Sequence, residues 1–460
     1  MAGLSAAWEL VGAGQGELAV TILEASDRVG GKLRQEVVGG HLVDVGAESI
    51  LGLRPEATDL IEEIGALPEM VVPGTTSASI RSHGALHPLP PGTLMGVPAD
   101  PRVAAGLLSE SEIARACAEG IGAPVTADCS VGDFLAARLG DALVDRMVEP
   151  LLGGVYAGQA RHLSLAATMP GLYAAACSGG SVLELAARAL GGGGAGPRRP
   201  PFVGIRGGVG RLPQLLADAV IARGVEIRCD VAVTNVQRTS SGAWTVEVET
   251  PSGSEQIPAN AVIVTSPRTV TRDLLAALCP VASAELGEID LASVGLVTFA
   301  FAADVAPALS GSGFLVPPVE ELSVKASTFS STKWPWLAEH APGIVYLRAS
   351  FGRHLEDAPL ALPDAELIAL ARADLGVVLG VELPDPLDVH VQRWVDALPQ
   401  YSVGHLERVA RLRADIATVP GLEVAGAAYD GVGIPAVIAS ARRAAIATRE
   451  YLTTKGTIDV

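Results

Sequence analysis

The stretch LEASDRVGGKLRQEVVGGHLVDVGAES, residues 23 to 49, decides the fold. It opens at the end of Val20-Thr21-Ile22-Leu23, a short apolar and β-branched run that closes on the acid Glu24, so a strand ends at a carboxylate. Ahead of it, Leu4 to Val11 sets Ala, Leu and Trp at helical spacing behind Gly3. A dinucleotide-binding βαβ unit needs a glycine where helix and sheet approach closely and an acid about 20 residues later to accept hydrogen bonds from a ribose. Gly3 and Glu24 fill those two places. The first strand and first two glycines of such a unit do not precede Gly3 in this sequence. The expectation is that a form extended upstream would hold its dinucleotide at least about tenfold more tightly, because the glycine turn sets the pyrophosphate against the helix.

Outward from this stretch, the chain changes character several times. Residues 81 to 101, HGALHPLPPGTLMGVPADP with Arg81 and Ser82 before it, are dense in turn formers and predict an exit from the first unit. From Val103 to Leu190, Ala and Leu recur near a 3.6 period, which predicts a helical unit. GGGGAGPRRPP at 191 to 201 reads as a flexible linker. A helix over 212–222 follows, with strands at 225–228, 231–236, 243–248 and 261–265. A mixed region carries strands at 294–301, 344–351 and 389–393 and a helix at 365–379. The tail predicts a strand from Leu422, a Gly-rich turn, and a helix from Pro435 to Thr453. The domain reading is therefore 1–80, 207–285 and 418–460 for a discontinuous Rossmann-like α/β domain, with 81–206 a mainly helical insertion and 286–417 an α+β substrate domain.

Composition excludes several functions. With 33 Lys and Arg against 51 Asp and Glu, the net charge of −18 leaves no uniformly basic face for nucleic acid. The 49% hydrophobic content belongs to a folded chain. The uncharged run from Leu163 to Leu183 is broken by Pro170, Gly171, Gly179 and Gly180, so no transmembrane segment is expected. The opening MAGLSAAWEL lacks a basic n-region, which predicts a cytoplasmic protein. Five well-separated cysteines form no C-x-x-C pair and read as small buried hydrophobes. His83 and His87 stand among turn formers and share no helical face, which argues against a metal, and neither a G-x-S-x-G elbow nor a P-loop occurs.

The 23–49 stretch resembles the flavin amine oxidase and protoporphyrinogen oxidase superfamily, in which the acid is followed by R-x-G-G and later by a D-x-G-A/P-x-S turn. The resemblance implies FAD as cofactor. Glu24, with Ala25 beside it, would bind the adenosine ribose, and Arg28 and Lys32 would lie near the pyrophosphate. Gly30, Gly31, Gly46, Ala47, Glu48 and Ser49 would line the flavin. A second glycine pair has no use in a nicotinamide dehydrogenase, which favours FAD over NAD. LEVAGAAYDGVGIPAVIASARRAA resembles the closing signature of the same family. Gly426 would approach the ribityl chain, and the backbone of Val432, Gly433 and Ile434 would face the pyrimidine edge, where the following helix's positive end favours developing charge.

Three further stretches, EPLLGGVYAGQARHLSLAATMPGL (149–172), SVKASTFSSTKWPW (323–336) and VQRWVDALPQYSVGHLERV (391–409), are similar to the porphyrinogen oxidases within that superfamily. Val233 would meet the adenine through its backbone, and Trp394 would flank the flavin. The soluble Gram-positive and actinobacterial branch implies oxidation of coproporphyrinogen III to coproporphyrin III in haem synthesis. Six electrons would leave as three hydrides passed to the flavin, with O2 as acceptor and H2O2 as by-product. No protein acid or base is required, since the cofactor carries the chemistry. Other haem-pathway enzymes are implied as transient partners. The alternatives are a protoporphyrinogen IX oxidase, another flavin amine oxidase-like enzyme marked by an aromatic cage, or a non-catalytic chain. Arg54, Arg81, Lys325, Lys333, Arg348 and Arg353 are the candidate partners for propionates, and the residues alone do not choose among them.

Overall fold

The computed structural model describes residues 1–12, 18–191, 199–240 and 242–456. Most of the linker read at 191–201 lies outside the described residues. The helix Ala2–Gly12 buries Leu4, Ala6, Ala7, Trp8, Leu10 and Val11. It packs its alanine face against Ala441, Ala444 and Ala445 of the long helix Ile434–Thr454, and its other side against Leu212, Leu216 and Val220 of Leu212–Ile221. Small side chains let the first two helices approach closely.

Two parallel strand pairs flank this helical layer. Thr21–Leu23 pairs with Glu226–Arg228, and Val262–Val264 pairs with Leu422–Val424. Glu24 N–H continues the first pair by donating to the Arg228 carbonyl at 2.9 Å, and Val231 N–H donates to the Glu24 carbonyl at 2.9 Å. The strands Ala232–Arg238, Trp244–Thr250 and Gly253–Ala259 form an antiparallel sheet, with the fully buried Trp244 anchoring it.

A seven-stranded sheet forms the other large unit, in the order Asp388–Pro399, Leu291–Ala302, Ile344–Phe351, Ala326–Thr328, Gly313–Leu315, Ser79–Ser82, Ala85–Pro88. Successive side chains of a strand point to opposite faces, so alternate residues are sorted between two environments. Val297, Phe299, Phe301, Leu347, Ala349 and Phe351 face the helix Asp364–Leu379, burying Leu367, Ala371 and Leu375. Thr298 and Arg348, directly opposite one another, point to the other face, beside Tyr346 and Trp334. That face meets the hairpin Gln35–Val38 and His41–Asp44, where the core holds Val38, Val43, Trp334, Trp336 and Tyr346.

Residues 110–191 are helical around one core that includes Leu135, Leu143, Met147, Leu152, Leu163 and Leu172. Ser109 and Glu112 close a reciprocal capping box on Glu110–Cys117, and Ser130 and Ser164 cap the helices that follow them. This is an α/β fold in which a Rossmann-like unit assembled from distant segments stands beside an α+β sheet and a helical insertion.

Two expectations need correction. The turn-rich residues 81–101, read as the exit from the first unit into the helical insertion, carry strands instead. Ser79–Ser82 and Ala85–Pro88 form a hairpin that extends the seven-stranded sheet, Ser79–Ser82 pairing parallel to Gly313–Leu315, and Thr93–Leu94 pairs with Val97–Pro98. Its glycines mark tight turns between short strands: Gly84 and Gly96 have φ of 78° and 88°. The cysteines are not uniformly buried either. Cys279 is, but Cys117, Cys129 and Cys229 are half-buried and Cys177 is exposed: Cys117 and Cys177 end helices, and Cys129 and Cys229 lie in connecting segments.

Candidate flavin site

The residues expected at the adenosine end stand together. Gly3 lies so close to the strand Val262–Val264 that a Cβ there would stand 3.0 Å from Thr265 Oγ1. Glu24 ends its strand, and its Oε1 accepts from the backbone N–H and hydroxyl of Ser26 at 2.9 and 2.7 Å, leaving Oε2 for a ligand's hydroxyls. Ala25 is exposed beside it. Val233 is the second residue of the strand Ala232–Arg238, two residues beyond the Val231 N–H that bonds Glu24, next to the bulge between Val233 and Asn235.

Arg28 folds back over the loop it begins. Its Nη1 donates to the Val29 and Leu33 carbonyls at 3.2 Å and its Nη2 to the Gly31 carbonyl at 2.8 Å. The guanidinium thus shapes the Gly30-Gly31 turn. Gly30 has φ 107°, and a Cβ on it would stand 2.8 Å from Pro213. Lys32 is exposed as a residue, but its ammonium donates to the Ala397 carbonyl and burial lowers its pKa to about 8.

The turn Gly46–Ser49 is braced from several directions. A Cβ on Gly46 would stand 2.3 Å from the Lys32 carbonyl and 3.5 Å from Trp394 Cζ2, so only glycine fits. Trp394 Nε1 donates to the Val45 carbonyl at 3.0 Å, and Arg348 Nη2 donates to the Gly46 carbonyl at 2.7 Å. Ala47 is exposed. The side chain of Glu48 turns away into the protein. It accepts from Arg348 at 2.9 Å, Ser330 at 2.8 Å, Trp334 at 3.2 Å and Lys333 at 3.1 Å. Burial alone would raise its pKa, but Lys333 and Arg348 overcome that and hold it at about 2. Asp44, just before the turn, accepts from the Val209 and Gly210 N–H groups, each at 2.8 Å. Burial pushes its pKa up to about 7, with those two bonds offsetting part of the rise.

At the closing segment, Gly426 has φ 144° and donates to Ser440 Oγ at 3.3 Å. Val432 and Gly433 lead into the helix Ile434–Thr454, whose first turn contains Pro435, where a missing N–H leaves nothing unsatisfied. The alanine packing against Ala2–Gly12 brings this segment to the same edge of the molecule as Gly3.

The structure joins these residues in groups: Glu24 with the Val231 N–H beside Val233, Lys32 and Trp394 with Gly46, and Gly426 with Ser440 of the closing helix. Two features suit a flavin dinucleotide. Gly31 and Gly426 have nothing within 4 Å of a Cβ position, and the Ser49 hydroxyl is buried without a hydrogen-bond partner. Among the described residues no cluster of His, Cys, Asp and Glu could hold a metal, and no helix is long and apolar enough to cross a membrane.

The six candidate propionate partners separate clearly. Arg81 pairs with Glu320, Lys333 and Arg348 with Glu48, and Arg353 with Glu356 and the Val316 carbonyl. Lys325 is buried, donating to the Gly352 carbonyl. Arg54 also pairs, with Glu56, but its side chain, 43% exposed, is the most accessible of the paired ones. Sequence reasoning missed Asp44 as a brace of the 207–210 turn and missed Tyr401, whose hydroxyl touches the closing segment. Only the acid of D-x-G-A and the lone tyrosine after Leu398-Pro399 could have signalled them.

A family model described as flavin containing amine oxidoreductase matches residues 1–447. The coproporphyrinogen III oxidase of Mycobacterium tuberculosis is 37% identical over 458 residues, spanning 98% of this chain and 96% of the relative. The enzyme of the same name from Bacillus subtilis is 30% identical over 454 residues, 95% and 92% of the two chains. A crystal structure from Exiguobacterium sp. 255-15, named after protoporphyrinogen oxidase, superposes with a TM-score of 0.84 at 32% identity, covering 98% of this chain and 96% of that one.

Proposed function

The chain belongs to the flavin containing amine oxidoreductase family and is an FAD-dependent oxidoreductase, and from that premise we propose that it oxidises coproporphyrinogen III to coproporphyrin III in haem synthesis. The observation that carries this reading is the near full-length match, at 37% identity, to a coproporphyrinogen III oxidase. When bound, FAD supplies the two-electron acceptor for each of three dehydrogenations, and O2 takes the electrons onward as H2O2.

The chain's own residues bind and orient. Glu24 holds the ribose, and Arg28 and Lys32 stand along the diphosphate. Gly46, Ala47 and Ser49 offer backbone and one free hydroxyl to the ring, while the Glu48 side chain, tied to Arg348 and Lys333, fixes that turn against the seven-stranded sheet. Trp394 closes the flank through its bond to Val45. Val432, Gly433 and Ile434 aim backbone N–H groups at the edge where negative charge gathers. Arg54, five residues beyond Ser49 and the most exposed of the paired cations, takes a carboxylate arm of the substrate in place of Glu56.

The test is an oxidase assay with coproporphyrinogen III and protoporphyrinogen IX side by side, at low and raised salt, with H2O2 measured. Higher activity on the tetracarboxylate, falling with salt, is the expected result. Equal or greater activity on protoporphyrinogen IX with no salt dependence would reassign the substrate.

A further inference from the structure

Tyr401 stands just past the end of the strand Asp388–Pro399 and far in sequence from the closing Gly-rich segment, yet its hydroxyl holds that segment at two points. Oη donates to the Ala427 carbonyl at 2.6 Å and accepts from the Gly431 N–H at 2.6 Å. One oxygen thus staples the two ends of a five-residue bend. The bend cannot relax cheaply in other ways. Gly431 has φ 138°, and a Cβ on it would stand 2.6 Å from the Ala436 methyl. On the far side Ser440 Oγ accepts from Gly426 N–H at 3.3 Å and donates to Asp430 at 3.1 Å, and Arg413 holds the same carboxylate at 2.6 Å.

The phenol is itself fixed. Its ring is 2% exposed and stacks on His405 with centroids 3.8 Å apart and planes 14° apart. Burial keeps that imidazole neutral, with its pKa down at about 4. Tyr156 packs on the phenol at 5.9 Å, the Ser164 N–H donates to the Tyr401 carbonyl at 2.7 Å, and Gln400 Nε2 donates to the Tyr156 carbonyl at 2.8 Å. The helical insertion therefore locks the residue that shapes the bend.

We propose that Tyr401 is a positioning residue for the flavin: its hydroxyl fixes the path from Ala427 to Gly431 and so aims the N–H groups of Val432, Gly433 and Ile434 at the cofactor's pyrimidine edge. The proposal rests on the reading of residues 426–434 as flavin-facing. N–H donors stabilise a developing charge only when they are aimed in advance, so a small swing of the bend weakens the field without removing a contact to the ligand.

Tyr401→Phe keeps the ring and its stack on His405 and removes only Oη. The variant is expected to bind FAD about tenfold more weakly, the scale of two lost hydrogen bonds. Its bound flavin should also show a shifted visible spectrum and a more negative midpoint potential, which a loss of stability alone would not produce. Flavin-loaded wild type alongside a variant with the same affinity, spectrum and potential would overturn the proposal and leave the cofactor reading standing. Wild type that releases no flavin on denaturation would overturn both. Should Tyr401→Phe fail to fold, amide exchange of the wild-type holoenzyme decides: slow exchange at Gly431 supports the staple, and exchange as fast as in an open loop refutes it.

Discussion

Replacing Glu48 with Gln removes one charge and almost no volume from the junction between the Gly46–Ser49 turn and the seven-stranded sheet. The carboxylate has 10% side-chain exposure and accepts from Arg348, Lys333, Ser330 and Trp334. Holding it at about 2 rather than 4.5 corresponds to roughly 3 kcal/mol in favour of the ionised form, at about 1.4 kcal/mol per pH unit. Breaking a buried ion pair by removing one partner costs about 3–5 kcal/mol, because Arg348 and Lys333 are left facing each other uncompensated. The two figures agree in size, so Glu48→Gln should lower stability at neutral pH by roughly 3 kcal/mol. For a carboxyl whose folded pKa lies below its unfolded one, the contribution is complete above about 4.5 and is lost as pH falls from there towards about 2. Urea unfolding followed by tryptophan fluorescence, at pH 7 and through that acid window, reads both effects. The wild-type midpoint should fall through the window more steeply than the variant's, and the gap between them should narrow. A variant within about 1 kcal/mol of wild type at pH 7, with a parallel acid profile, would refute the pairing as the brace of this turn.

Gly46→Ala should abolish flavin retention, since its Cβ would stand 2.3 Å from the Lys32 carbonyl; the flavin-to-protein absorbance ratio of purified protein checks this. Glu24→Ala should weaken FAD by about 1–3 kcal/mol, the scale of losing a charged acceptor, read by titrating FAD into apoprotein. Arg54→Ala should raise KM for coproporphyrinogen III with little change in kcat or melting temperature, because an exposed pair such as Arg54 and Glu56 adds at most about 1 kcal/mol to stability.

The parts of this fold that could be read from sequence are those with strong local signals. Val20 to Leu23 is apolar and β-branched up to Glu24, Leu4 to Val11 has a clear helical face, and Ile344–Phe351 appears where its apolar run predicts it. Short strands escaped notice: Gly313–Leu315 and Ala326–Thr328 span three residues each and exist through their neighbours in the large sheet. The hairpin Ser79–Pro88 was hidden by the turn formers that make its bend possible. At the site, glycines with fixed spacing were legible because a pattern of backbone approach is written in order along the chain. The braces were not. Arg348 reaches Glu48 across 300 residues, Asp44 meets Val209 across 165, and the Tyr401 hydroxyl finds Gly431 30 residues away. Apart from the place of Asp44 in the D-x-G-A turn and of Tyr401 just past Leu398-Pro399, little local distinguishes such a residue from a surface charge or an ordinary core ring.

The most direct test of the account is anaerobic mixing of the flavin-loaded protein with coproporphyrinogen III, with flavin absorbance and porphyrin fluorescence followed together. The account predicts that the oxidised flavin bleaches as substrate is consumed and returns when O2 is admitted, with fully oxidised coproporphyrin III accumulating over repeated turnovers. A flavin that dithionite reduces but coproporphyrinogen III leaves oxidised would contradict it.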